Sequence, residues 1–220
     1  MSIPLEQPEN VVVLRQTMYL LSLMTILRDQ QTGHSEFVRT ANLIINMLMQ
    51  EALSALPYKK CLIKTSSGGT YTGVQPARDI CGVSILRAGE SMEYGLAAAC
   101  NYSVPVGKLL VQRDETTFEA KLMFCKLPKD AQDRLVLLLD PLLATGNSVI
   151  LAIQTLINKG IPEENIVFVN LIACNEGITN VFAKFPKLRM VTASIDPELN
   201  ANKYVVPGCG DFGDRYFGTC

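Results

Sequence analysis

Apolar positions change their spacing near residue 57, and the change divides the chain into two textures. Before it, apolar residues recur at the helical period. Leu14, Met18, Leu21 and Thr25 trace one face of a first segment that ends near Arg28-Asp29. Residues 30–33 read as a turn, Ser35 as a candidate cap, and Phe37, Ala41, Ile44 and Leu48 as the stripe of a second helix. After Pro57, short apolar runs at 81–86, 106–111, 135–139, 166–172 and 189–193 alternate with helical stretches near 91–100, 147–159 and 176–184. Most of these runs are continuous rather than alternating, as strands buried on both faces are. The expected fold is therefore α/β, a parallel sheet flanked by helices. Residues 113–128, with Thr116-Thr117-Phe118 and then Lys121-Leu-Met-Phe-Cys-Lys126, read as a projecting β-hairpin arm. No linker, repeat or low-complexity stretch divides the 220 residues, so one domain is expected.

Composition narrows the function classes. Apolar residues at 48% and charged residues at 19% exclude disorder and collagen. A net charge of -1 gives no global basic field for nucleic acid or an anionic membrane. Seven cysteines, with no Cys-x-x-Cys pair, argue for free thiols in a reducing compartment rather than for a zinc or redox motif. The first residues lack the charged start and apolar run of a signal peptide, and no stretch matches the ~20 apolar residues of a membrane span. A cytoplasmic protein is expected, in which the sequon Asn101-Tyr102-Ser103 is a chance match. His34, the single histidine, lies in the turn between the first two helices and reads as a surface or structural residue; Cys209 reads as structural.

In an open parallel sheet the chemistry gathers at the carboxyl ends of the strands. The strongest local feature there is Asp140-Pro141-Leu142-Leu143-Ala144-Thr145-Gly146-Asn147-Ser148, which follows a buried run and opens a helix. Unpaired N–H groups and the dipole at a helix start favour an anion. Thr145 and Ser148 add hydroxyl donors, Gly146 allows close approach, and Asn147 is the non-glycine type that best tolerates positive φ. The loop reads as a phosphomonoester cradle, distinct from a Walker loop and from a dinucleotide turn. Arg87 and Arg113 each end a buried run, where an arginine is out of place as core and its fork matches phosphate oxygens. A salt bridge of Arg113 with Asp114 is the structural alternative.

The loop resembles the phosphoribosyl pyrophosphate (PRPP) loop of type I phosphoribosyltransferases, and its Asp-Pro opening resembles the uracil phosphoribosyltransferases in particular. Leu86-Arg87-Ala88-Gly89, Gln112-Arg113-Asp114-Glu115-Thr116, Leu27-Arg28-Asp29 to Phe37, and the ending Val205-Val206-Pro207-Gly208-Cys209-Gly210-Asp211-Phe212-Gly213-Asp214-Arg215-Tyr216-Phe217-Gly218-Thr219 carry the same resemblance, in matching order. Glu90-Ser91-Met92 and Phe212 are similar to the eukaryotic branch. Asn147 departs from the usual second glycine. The chain also lacks the long N-terminal extension of some eukaryotic members, which argues against carrying over GTP activation.

The resemblance implies transfer of ribose 5-phosphate from PRPP to uracil. It implies N-terminal helices at about 10–55, a core at 80–195, and a uracil-binding segment at 203–220 that forms a hood with the N-terminus. It places Arg87, Arg113, Asp140 and Asp211 in catalysis, and these four together with Pro141 through Ser148 on PRPP. Uracil falls to the main chain of Val205, Gly210, Asp211 and Phe212, with Tyr216 as packing. Magnesium would arrive on the pyrophosphate, with Asp211 reaching it through water and no metal cage built by protein alone. Implied partners are the small molecules PRPP and uracil, with neither nucleic acid nor membrane, in a homodimer or a tetramer. A regulator of this fold that binds RNA, an enzyme for a purine or orotate, and an inactive homologue are the competing readings.

Overall fold

The computed structural model describes residues 9–100, 103–113 and 120–219, without the side chains of residues 113 and 120. In chain order, β1 (Val11–Val13) leads to α1 (Met18–Arg28) and α2 (His34–Ser54). A hairpin, β2 (Tyr58–Lys64) and β3 (Thr70–Pro76), precedes β4 (Ile80–Leu86), a short 3-10 turn and α3 (Glu93–Ala99). Then come β5 (Val106–Arg113), β6 (Ala120–Lys126), β7 (Leu135–Leu139), β8 (Leu142–Leu143) and α4 (Asn147–Asn158). β9 (Ile166–Cys174), α5 (Asn175–Lys184), β10 (Arg189–Asp196), β11 (Glu198–Leu199), β12 (Val205–Val206) and α6 (Phe212–Phe217) complete the chain.

The main sheet runs β1-β10-β9-β7-β4-β5-β6, with β8 pairing β9. All its pairs are parallel except β5 with β6. The continuous apolar runs have the predicted cause. In β7, Leu135, Leu137 and Leu139 face a core shared with α1 and α2, while Val136 and Leu138 face one shared with α4 and α5. From β4 the chain moves to β5 on one side, and β7 returns on the other. The carboxyl ends of β4 and β7 therefore flank a topological switch point, where ligands bind in open α/β sheets.

Three local expectations are corrected. The first helix begins at Met18 with Thr17 as its cap, and it buries Leu20, Leu23, Met24 and Leu27. Met18 and Leu21 are exposed. The segment is apolar almost all round, so two stripes fit the helical period, and packing against α2 selects the other one. The second helix starts one residue before Ser35, capped by Gly33 without a side-chain bond; its stripe Phe37, Ala41, Ile44 and Leu48 is fully buried as expected. In place of a projecting arm at 113–128, the described strands β5 and β6 pair antiparallel from Lys108↔Lys126 to Arg113↔Ala120 as the edge of the main sheet. Thr116-Thr117-Phe118 and Asp114 lie outside the described residues, as do Asn101 and Tyr102. Two pairs stand apart from the main sheet, β11–β12 and the longer hairpin β2–β3, which sequence reading missed.

Candidate active site

The phosphate-loop candidate is held from below. Asn170, buried on β9, donates through Nδ2 to the Asp140 carbonyl at 3.1 Å. The Pro141 carbonyl accepts from the N–H groups of Leu171 and Ile172 at 3.1 and 3.0 Å. Leu142 and Leu143 continue along β9 as β8, and Asn180 on α5 donates to the Thr145 carbonyl at 3.0 Å. Gly146 then turns the chain at φ 89° and caps α4. Positive φ thus falls on Gly146, while Asn147 is the first helical residue, so Asn147 need not have the left-handed tolerance anticipated for it. A Cβ on Gly177 would sit 2.3 Å from the Ala144 carbonyl, so α5 packs directly under the loop.

Opposite lies the C-terminal segment. One cleft of about 300 Å³ is lined by Asp140, residues 142–149, Asn202, Lys203, Tyr204, Val205, Cys209, Gly210 and Asp211. It brings together Asp140, Leu142, Leu143, Ala144, Thr145, Gly146, Asn147, Ser148, Val205, Gly210 and Asp211 from the sequence expectations. Pro141 is buried beneath the loop and outside the lining. Phe212 is fully buried, its ring 5.4 Å from Phe37 and 5.6 Å from Tyr216. Only its main chain could meet a ligand. Tyr216 packs as expected and donates to Asn42 at 2.8 Å.

The segment is more tightly held than a glycine-rich loop suggests. Asp211 is exposed, and its carboxylate accepts from the Asp214 N–H at 2.9 Å, capping α6. Cys209 is buried, and burial pushes its thiol up to about 12, which suits a structural role. His34 bonds the Tyr216 carbonyl at 3.0 Å, so this residue, far from every motif in sequence, supports the C-terminal helix. The Leu86-Arg87 and Val206-Pro207 peptides are cis.

Arg87 does not line the cleft. Its guanidinium pairs with Asp214, donates to the Thr219 hydroxyl at 2.8 Å, and lies 5.7 Å from the Phe217 ring centre. The Thr219 hydroxyl and Arg87 hold the Asp214 carboxyl below its ordinary value. A Cβ on Gly213 would lie 3.4 Å from both Arg87 Nη2 and Asp211 Oδ1, so both side chains reach the same glycine. The Arg113 side chain lies outside the described residues. Lys203 and Tyr204 fall within the expected segment 203–220 but were not singled out as site residues, and Asn202 lies just before it; their position next to Val205 is the signal that could have found them.

A phosphate-sized turn at a helix start, facing a main-chain-rich segment across a switch point, belongs to the type I phosphoribosyltransferase class. The AQ2163 protein from Aquifex aeolicus superposes with a TM-score of 0.82 at 28% identity, over 94% of this chain and 97% of that one. The family model described as uracil phosphoribosyltransferase matches residues 13–219, and the chain belongs to that family. It is 50% identical to a uracil phosphoribosyltransferase of Dictyostelium discoideum, over 96% of this chain and 98% of the relative. It is 52% identical to uracil phosphoribosyltransferase 1 of Schizosaccharomyces pombe, over 96% and 95%.

Proposed function

We propose that this chain transfers the ribose 5-phosphate group of PRPP to N1 of uracil, releasing pyrophosphate and forming uridine monophosphate. One observation carries the reading: the hydroxyl-lined loop and the C-terminal segment line a single cleft. In it, the N–H groups and hydroxyls of residues 142–148 bind the 5-phosphate. Asp140 accepts from the ribose hydroxyls. Val205, Gly210, Asp211 and Phe212 read the base edge with main-chain donors and acceptors, which disfavours cytosine because its donor order differs.

Positive charge grows on the ribose and negative charge on the leaving pyrophosphate. Cations placed before the reaction therefore stabilise the transition state. Arg87 and Arg113 take that role, Arg87 by turning from Asp214 toward the leaving group. Magnesium suits the cleft's donors: Asp140 and Asp211 are its two carboxylates, hard oxygen ligands. Among the described residues no group of three His, Cys, Asp or Glu converges on one point. The ion would come with the pyrophosphate oxygens, neutralise their charge, and meet Asp211 through water.

The working unit is proposed to be a cytoplasmic homodimer. Leu62, Ile63, Tyr71 and Val74 are exposed on the separate β2–β3 sheet, which supports association. No described helix is long and apolar enough to cross a membrane. The test is to mix the protein with PRPP, magnesium and uracil and to assay uridine monophosphate. 5-Fluorouracil should also react, while hypoxanthine and cytosine should not; equal turnover of hypoxanthine contradicts the reading.

A further inference from the structure

The base-reading segment has little regular structure to fix it. Among the described residues its one ladder is the two-residue pairing of β12 with β11, yet Val205, Gly208 and Cys209 are buried. An ion pair between a buried carboxylate and a half-buried arginine holds it. Asp196, the last residue of β10, is 2% exposed. Its Oδ2 accepts from Arg28 Nη1 at 2.7 Å and from the Gly208 N–H at 2.8 Å. Its Oδ1 accepts from Arg28 Nη2 at 2.7 Å and from the Ser194 hydroxyl at 3.2 Å. Arg28, the last residue of α1, also donates through Nη1 to the Gly208 carbonyl at 2.8 Å and through Nη2 to Ser194 Oγ at 2.9 Å.

Both main-chain polar groups of Gly208 thus end on one ion pair. Gly208 has φ 57°, and a Cβ there would lie 2.1 Å from the Val205 carbonyl oxygen. The chain therefore doubles back on Val205 at this residue, and fixing Gly208 fixes Val205 on one side and Gly210 on the other. A second cation braces the next peptide. Arg215 donates through Nη1 to the carbonyls of Cys209 and Leu27 at 2.8 and 2.9 Å, and through Nη2 to that of Asp29 at 2.7 Å.

We propose that the Arg28–Asp196 pair is the positioning device for the base, setting the register of the main-chain groups that read uracil. The proposal rests on the reading of residues 205–212 as the base site. Paired with a half-buried arginine, a buried carboxylate is a weak source of stability compared with apolar packing. Here its remaining hydrogen-bonding capacity goes to the backbone of one glycine and to the neighbouring Ser194. Main-chain recognition has no flexible side chain to absorb an error, so a displacement of about 1 Å suffices to weaken it. Neither Arg28 nor Asp196 lines the cleft, so the pair acts through Gly208 and touches no substrate.

The test is a split between the two substrates. Arg28→Lys keeps the charge and removes the fork. Its KM for uracil should rise about tenfold or more while its KM for PRPP stays within about twofold. Ser194→Ala, a milder change, should move the uracil KM in the same direction by about twofold. It decides by the same split if Arg28→Lys fails to fold. Equal shifts in both KM values, or a lowered melting temperature with both KM values unchanged, would overturn the proposal. Gly210→Ala checks the underlying reading, because Gly210 has φ 77° and lies in the segment itself. If Gly210→Ala leaves the uracil KM unchanged, the base-site reading and the proposal both fall. If it raises that KM and Arg28→Lys does not, only the proposal falls.

Discussion

The two halves of the cleft are built on opposite plans. The phosphate loop is contiguous: one strand, one turn and one helix supply residues 140–148, and their supports come from the adjacent β9 and α5. The base segment is assembled from a distance. Arg28 reaches the Gly208 carbonyl across 180 positions of sequence, and Arg215 reaches back to Leu27 across 188. A phosphate is bound by any well-formed helix start, so local chemistry suffices. A base edge must be matched group by group, and that requires a backbone held from several sides.

The largest effects should come from two tightly packed glycines, one under each half, of which Gly208 alone also has positive φ. Gly177→Ala places a Cβ 2.3 Å from the Ala144 carbonyl, and Gly208→Ala places one 2.1 Å from the Val205 carbonyl. The first should raise the KM for PRPP by about tenfold or more, and the second that for uracil, each with less effect on the other substrate. Steady-state kinetics with both substrates varied checks the pair. Matching losses in both variants would erase the distinction between the halves.

Asp211 sits where the halves meet. Asp211→Asn should slow the reaction by about tenfold or more, near 1.4 kcal/mol of barrier. Its melting temperature should hardly move, since Asn also caps a helix. Single-turnover rates at saturating substrates are decisive, and a wild-type rate removes the carboxylate from the mechanism. Thr145→Val should weaken PRPP binding by about 1–3 kcal/mol with the fold intact, measured by titration. Unchanged affinity would mean that the hydroxyl faces no phosphate.

The contiguous half was legible in the sequence for the same reason that it is robust. Residues 135–139 form an unbroken apolar run because both faces of β7 are covered, and the turn after it carries its chemistry within nine positions. The distant half was legible only as a motif. Glycines at 208, 210 and 213 would by themselves permit a loose loop, whereas Phe212 is in the core and Gly208 is bonded on both sides. Arg28 read as a helix end and Asp196 went unremarked, because nothing local joins residues 168 positions apart. The β2–β3 hairpin was missed because its strands, mostly exposed, offer no continuous apolar run.

Smaller effects sharpen the same contrast. Arg113→Lys should lower turnover without lowering the melting temperature if the guanidinium meets pyrophosphate, and should do the reverse if it serves a structural pair. Cys209, at 3% exposure and with its thiol near 12, should alkylate more slowly at neutral pH than the half-buried Cys61, Cys100 and Cys125. Mass spectrometry of peptides after brief iodoacetamide treatment reads this directly. Early labelling of Cys209 would show a base segment looser than its bonds imply.

The most direct measurement compares two ligands that differ only by the base. Ribose 5-phosphate and uridine monophosphate are added separately, and amide hydrogen exchange is followed at residues 142–148 and 205–212. Ribose 5-phosphate should slow exchange in the phosphate loop alone, and uridine monophosphate should slow it in both segments. Protection of 205–212 by ribose 5-phosphate, or its absence with uridine monophosphate, would contradict a cleft divided between a local phosphate cradle and a remotely braced base site.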